Sequence, residues 1–314
     1  MEQAGESSPP DIAALTAELL ALDRASGARA AAPAAVRAVR AVRARCAAPP
    51  APAGPWRGRP PGGRERAELA ELFEVAAWIL FDAEHHAASY RLNRRALALA
   101  RGLREDGRSI ELLTLSVLSM QEAHLGRPGD SLRISSSVLA GTDLPPRVAA
   151  LFHLREARAH AQLKRRSEAL RSLRTGRELL SDRPSAQDPS WAWWLDRAEF
   201  DGHHGLALAD LGDLDGAAAL LHGATEAGDG PAYRSLFATE LARVLATAGA
   251  WREADAWLSS LVESVPGIGS VRALNSLGHA ARLIEHGRGV PRGLRDTTRH
   301  LRMLLDRETP HRPR

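Results

Sequence analysis

The stretch "LGDLDGAAALLHGATE" (Leu211–Glu226) and the stretch "AGAWREADAWLSSLVE" (Ala248–Glu263) share one device. Each has a glycine at a break (Gly212, Gly249), a small residue five positions on (Ala217, Ala254) and another seven positions before (Gly205, Ala242). Three earlier breaks overlay on these two: "FDAEHHAAS" (81–89), "LGRPGDSLR" (125–133) and "LKRRSEALR" (163–171). Taking the second residue of each as the turn point gives Asp82, Gly126, Lys164, Gly212 and Gly249, spaced 44, 38, 48 and 37 residues apart. Five residues on come Ala87, Ser131, Ala169, Ala217 and Ala254; seven before come Val75, Ser119, Ala157, Gly205 and Ala242. A weaker sixth unit has Gly287 at its turn and Ala280 seven before it.

Small residues at fixed offsets on either side of a turn let two antiparallel helices approach closely, and a glycine at the turn ends the first helix in a left-handed conformation. The flanking segments have helical periodicity: Leu69, Leu72, Phe73, Ala76, Ile79 and Leu80 form one stripe, and Leu92, Ala96, Leu99, Ala100 and Leu103 form the next. One such hairpin cannot bury its apolar face alone, so successive hairpins stack. The expected fold is therefore all-α, a right-handed α-α superhelix of helical hairpins. "TTRHLRMLLD" (297–306) reads as a closing helix with a polar face.

Composition agrees. Aromatic residues make up 4% of the 314-residue chain, and Ala, Leu and Arg dominate, which favours helix over strand. The net charge is only +4, but it is uneven: nine arginines and one acid, Glu65, lie between Arg29 and Arg66. Lys164 is the single lysine, so the high pI is carried by arginine. The lone Cys46 excludes an intrachain disulfide framework. No apolar run reaches the roughly 20 residues of a spanning helix, and "MEQAGESSPPD" lacks the regions of a secretory signal. A cytoplasmic protein with no membrane partner is expected.

The turn offsets resemble those of the tetratricopeptide repeat, in which the second helix follows a glycine–acid–aromatic turn; Trp251 stands at the aromatic position. The spacing here exceeds that family's repeat of about 34 residues. A narrower resemblance runs from about Leu15 onward. "AVRAVRAVRAR", "ELAELFEVAAWILFDAEHHAASYRLNRRALALARGL", "SIELLTLSVLSMQEAHLGRPGDSLRISSSVL", "RVAALFHLREARAHAQL" and "DPSWAWWLDRAEFDGHHGLALADLGD" are similar, in order, to the C-terminal regulatory half of actinobacterial, Streptomyces-type transcriptional regulators with a Cro/repressor-type helix-turn-helix. That resemblance implies a tetratricopeptide-like sensory module. A helix-turn-helix domain needs roughly 55–60 residues and several packed helices, whereas one helix precedes the arginine-rich segment here. The DNA-reading half is expected to be absent, leaving DNA contact indirect or supplied by a partner chain.

Four regions are expected: an N-terminal tail and helix (1–28), an arginine-rich helix with a Pro/Gly linker (29–66), the repeat domain (67–306) and a C-terminal tail (307–314). The first region includes "DIAALTAELLALDR", capped by Asp11; the second has a helix after Pro33. In that helix Arg37, Arg40 and Arg43 alternate with Val36, Val39 and Val42, and Arg45 follows. One reading has these arginines touching phosphates without sequence preference. The other has the valines packed on the repeats and the arginines facing water. Trp56 in the linker is a weak candidate for stacking on a base.

The remaining motifs do not build a catalyst. His85-His86 falls at ordinary turn positions, and adjacent helical residues point about 100° apart, poorly placed to chelate one ion. Asp196, Glu199 and His203 share a helical face, half of a divalent-metal site with no second cluster to complete it. In "SWAWWLDRAEF", Trp191 and Trp194 share a face and read as packing anchors; Trp193 departs from it and is a candidate contact. "VPGIGSV" lacks the third glycine of a nucleotide loop, and HExxH, GxSxG and P-loop motifs are missing. No enzyme, cofactor or metal is expected.

The expected function is a regulatory or interaction module that holds a peptide, protein segment or small signal in a concave groove lined by the first helix of each pair. Ser116, Met120, Arg158, Gln162, Glu199, His203, Thr239 and Arg243 are the candidate groove residues. Nonspecific nucleic-acid binding through Arg37, Arg40, Arg43 and Arg45 is the alternative.

Overall fold

The computed structural model describes residues 11–47, 62–103, 105–141, 143–181, 183, 185–226 and 234–308. Among these, thirteen α-helices follow one another and no strand occurs. A long N-terminal helix, α1 (Ile12–Ala47), precedes six hairpins. The hairpins are α2 (Gly63–Asp82) with α3 (His86–Arg101), α4 (Glu105–His124) with α5 (Pro128–Leu139), α6 (Pro146–Gln162) with α7 (Arg166–Leu179), α8 (Arg197–Leu211) with α9 (Leu214–Thr225), α10 (Ser235–Ala248) with α11 (Trp251–Leu261), and α12 (Val271–Glu285) with α13 (Arg292–Glu308). The all-α hairpin superhelix expected from the repeat is what forms. No helix of the described residues is long and apolar enough to cross a membrane.

Five turns close by the same hydrogen bonds. At each, one residue adopts the left-handed conformation: Glu84 (φ 62°), Gly126 (72°), Lys164 (61°), Gly212 (84°) and Gly249 (68°). The N–H of the next residue reaches back five positions: His85 to Leu80 O, Arg127 to Glu122 O, Arg165 to His160 O, Asp213 to Leu208 O and Ala250 to Leu245 O, all 2.7–3.1 Å. This is the Schellman closure, which satisfies carbonyls that a helix end leaves open.

Four turn points therefore stand where the spacing put them. The first does not: Asp82 is still in helix α2, and Glu84 makes the turn. Counted from Glu84, the small residues of the first hairpin become Ala77 and Ser89, both fully buried, in place of Val75 and Ala87. The rule then holds in all five units, since Ser119, Ser131, Ala157, Ala169, Ala217, Ala242 and Ala254 show no exposure. Its physical content is direct. Ser119 Oγ sits 3.1 Å from the backbone oxygen of Ser131 across its hairpin, and a Cβ placed on Gly205 would lie 3.2 Å from that of Ala217. In the sixth unit the left-handed residue is Gly289, two beyond the expected Gly287, while Ala280 is fully buried as expected.

The N-terminal region also differs from expectation. α1 bends at Gly27 (φ 74°, ψ 173°), and its second segment then runs through Pro33 instead of starting after it. Pro33 is exposed, so the lost backbone hydrogen bond falls on the water side while Ala31, Ala32 and Ala35 pack inward. Val39 and Val42 are buried against the first hairpin and Val36 partly so; Arg37, Arg40 and Arg43 face water. The side chain of Arg45 lies outside the described residues, as does most of the Pro/Gly linker, Trp56 included. The repeat array starts at Gly63 and its last helix reaches Glu308, beyond the expected 67–306.

The ends of the array meet. Asp82, at the end of α2, accepts hydrogen bonds from Ser270 Oγ and Arg272 Nε, each 2.9 Å, at the start of α12. Both ionic partners are buried. The bend of α1 docks beside them: Arg29 N donates to Gly269 O at 2.8 Å, and a Cβ on Gly27 would stand 2.5 Å from Gly269 Cα, so only glycine permits that approach. The Arg29 side chain pairs with Glu308 on α13. Here α1 bridges the first hairpin and the last, and the array closes on itself around its concave side.

Candidate ligand cavity

The first helices of all six hairpins face inward around a cavity of about 540 Å³. α2 contributes Glu71, Glu74, Val75 and Trp78; α4 contributes residues from Ser109 to Met120; Arg155, Glu199, His203, Leu236, Phe237 and Arg272 come from α6, α8, α10 and α12. Leu20, Asp23 and Arg24 of α1 cover one side. Trp191, Trp193 and Trp194, on a short 3-10 helix Ser190–Trp194, cover another. Among the described residues, none of an outer helix lines it. The volume lies within the range of small-molecule sites, about 300–1,000 Å³.

The loop carrying the tryptophans explains the longest spacing between turns. Buried Arg147 anchors it by donating to Leu195 O (2.5 Å) and Ser181 O (2.9 Å), with Asp188 at 3.3 Å. Trp191 Nε1 donates to Ser109 Oγ at 2.9 Å, tying the loop to α4. Trp191 and Trp194 pack on the core and Trp193 is 55% exposed, as their spacing indicated. The Arg24 guanidinium lies 5.6 Å from the Trp193 ring centre.

Two charged groups of opposite tendency stand in the wall. Glu199 (α8) lies 3.2 Å from His203 Nε2 and 3.3 Å from Arg234 Nε, and Asp196 lies 2.6 Å from Arg234. Asp196 also caps α8 by accepting from Glu199 N. The half-site for a metal is thus engaged with an arginine that the sequence pattern did not connect to it. Burial holds the His203 imidazole down at about 4, against the pull of Glu199, so it is neutral; its ring meets Phe237 edge-on at 5.6 Å. Asp23, Glu71 and Glu74 form the acidic side. Burial, then the charge of Glu71, raises Glu74 to about 8. Burial, then the charge of Asp82, raises Asp23 to about 6, opposed by a hydrogen bond from Trp78. Both carboxyls are held toward the neutral form with aromatic rings beside them.

Of the eight candidate groove residues, Ser116, Met120, Glu199 and His203 line the cavity. The other four are not among its lining: Arg158 pairs with Asp210 at 3.3 Å and Arg243 with Glu240, Thr239 donates to Leu236 O, and Gln162 ends α6. Asp23 and Glu74 went unnoticed in the sequence, although Glu71, Glu74 and Trp78 recur at helical spacing on one face. Neither showed that α1 would fold over that face.

A second cluster lies behind Phe81. Glu84 at the first turn, His86 at the start of α3 and His124 at the end of α4 bring ligand-type atoms within 4.8 Å of one another. His85 only caps α3. His86 alone of the pair is in the cluster, and its companion His124 lies 38 residues further on. Comparison of the chain with known protein families gave no match, and no curated protein is detectably similar to it in sequence.

Proposed function

We propose that the protein is a ligand-receiving regulatory module of tetratricopeptide type, whose cavity holds an amphipathic ligand with a positively charged group. The single observation carrying this reading is the cavity itself, walled by every inner helix and lined by four tryptophans beside Asp23, Glu71 and Glu74. Tryptophan faces attract organic cations by about 0.5–2 kcal/mol. A cation beside these carboxyls would draw half-buried Asp23 and buried Glu74 back to their charged forms, converting a cost of burial into binding energy. Arg272 is engaged by Asp82, so its charge does not stand unbalanced against such a ligand. A basic peptide side chain and a small amine share this chemistry. The resemblance to regulator C-terminal halves favours a role in transcriptional control. The exposed arginines of α1 favour the second reading, contact with nucleic acid.

Tryptophan fluorescence of the full chain, titrated with 4-phenylbutylamine and with the uncharged 4-phenylbutanol, tests the first reading. Saturable binding of the amine, at least tenfold tighter than the alcohol and reduced to the alcohol's level in Glu74→Gln, is expected. Equal or non-saturating responses would overturn it. Retardation of a short DNA duplex at low salt, lost in Arg37→Ser/Arg40→Ser/Arg43→Ser, would establish the second.

A further inference from the structure

We propose that Glu84, His86 and His124 form a binding site for one divalent transition-metal ion of the zinc type, held by two imidazoles and a carboxylate with a remaining position open to water. His124 Nε2 lies 3.1 Å from Glu84 Oε1, and His86 Nε2 lies 3.5 Å from Glu84 Oε2. Metal–ligand arms of about 2.0–2.2 Å in tetrahedral geometry set neighbouring donors about 3.3–3.6 Å apart. Each imidazole thus stands near that spacing from one of the two Glu84 oxygens, and the three ligand atoms all fall within 4.8 Å of one another, so a modest closure brings them around one ion. All three side chains are between one-fifth and one-third exposed, so an ion and its water can enter from one side.

The fold presents these residues by two independent devices. The first is the left-handed residue of the first turn. Where the other four turns carry glycine or lysine, this one carries Glu84 at φ 62°, a conformation that costs an ordinary L-residue about 1–2 kcal/mol. The second is a tether between hairpins: fully buried Gln121 on α4 donates to the backbone oxygen of His86 at 3.1 Å. His124 follows less than one turn later on the same helix. Phe81 backs the site, meeting His124 edge-on at 5.4 Å and His86 at 5.7 Å, which limits how far either ring can swing.

The chemistry of the donor set also fits. Two neutral imidazoles and one carboxylate suit zinc and its neighbours in the first transition row, whereas magnesium and calcium take oxygen donors. Arg272, which acts on His124, has its charge met by Asp82. His86 Nδ1 is buried with no hydrogen-bond partner, so the internal pairing leaves this imidazole half used. An ion here would pin the first hairpin to the second beside the contact that closes the array. This inference stands on different residues from the ligand cavity and does not need it.

Calorimetric titration of untagged, metal-free full-length protein with zinc chloride tests the site. One equivalent should bind, magnesium chloride should not compete, and Glu84→Gln, His86→Gln and His124→Gln should each weaken binding at least tenfold. Cobalt(II) should give the intense visible absorption of a four-coordinate site in the wild type and lose it in His124→Gln. Circular dichroism of each variant shows whether it is folded, and Glu84→Gln, the least disruptive change, is decisive if a histidine variant is not. Zinc affinity and the cobalt spectrum unchanged in the folded variants would assign the ion to others of the twelve histidines and overturn the proposal; so would the absence of stoichiometric binding.

Discussion

The contact that closes the array should be worth several kilocalories, and Asp82→Ala measures it. Asp82 is 2% exposed and Arg272 6%, and one carboxylate oxygen accepts from both Arg272 Nε and Ser270 Oγ at 2.9 Å. Removing the acid leaves a buried guanidinium and a hydroxyl without their acceptor. Breaking a buried pair from one side costs about 3–5 kcal/mol. Part is recovered locally, because the guanidinium lies 4.7 Å from the Phe81 ring and 5.7 Å from Trp78, and Ser270 Oγ still accepts from Ala273 N. We expect a loss of about 3 kcal/mol in urea unfolding, with at least about 2 kcal/mol of it appearing as coupling in a double-mutant cycle with Arg272→Met. A loss below about 1 kcal/mol, or no coupling, would refute the view that this pair joins the ends of the array.

Three further outcomes are expected. Glu74 is ionised above its ordinary value of 4.5 in the unfolded chain but keeps its proton up to about 8 when folded. Its contribution is therefore complete below the unfolded value and is lost as pH rises through 8, by up to about 5 kcal/mol at 1.36 kcal/mol per unit. Glu74→Gln should remove that slope, gaining on the wild type between pH 5 and pH 8 in urea unfolding; a pH-independent difference would contradict the buried neutral carboxyl. Gly205→Ala should destabilise by about 1–3 kcal/mol, since its Cβ would meet Leu221 Cγ at 2.9 Å. Gly223→Ala, exposed on α9 with nothing within 4 Å, should instead stabilise by about 0.5–1 kcal/mol, and both are read by urea midpoints.

The hairpin array was legible because its determinants are local in sequence. A left-handed residue, a small residue five positions on and another seven before must lie at set offsets, whatever the rest of the chain does. That is why Gly126, Lys164, Gly212 and Gly249 were located to the residue. The one misplaced turn among the five has a cause in tertiary structure. Asp82 looked like a helix break, yet its carboxylate is needed at the end of α2 by Arg272, 190 residues away, and the turn moved to Glu84. Alternation on α1 was likewise enough to separate buried Val39 and Val42 from exposed Arg37, Arg40 and Arg43.

The sites obey a different physics. Four groove residues reached the cavity because inner-helix periodicity marks which side faces inward. Arg158 and Arg243 are held instead by acids, Asp210 and Glu240, which periodicity does not weigh against a ligand. Asp23, Glu74, the Trp191–Trp194 loop and the triad of Glu84, His86 and His124 come together only once the helices stack and α1 folds across the first hairpin and the last. Sequence alone determined the repeating hairpin, because backbone closure and small-residue packing act within about forty residues. Tertiary structure decided the enclosure and the charges within it, because burial and charge pairing depend on groups distant in the chain that meet only after folding.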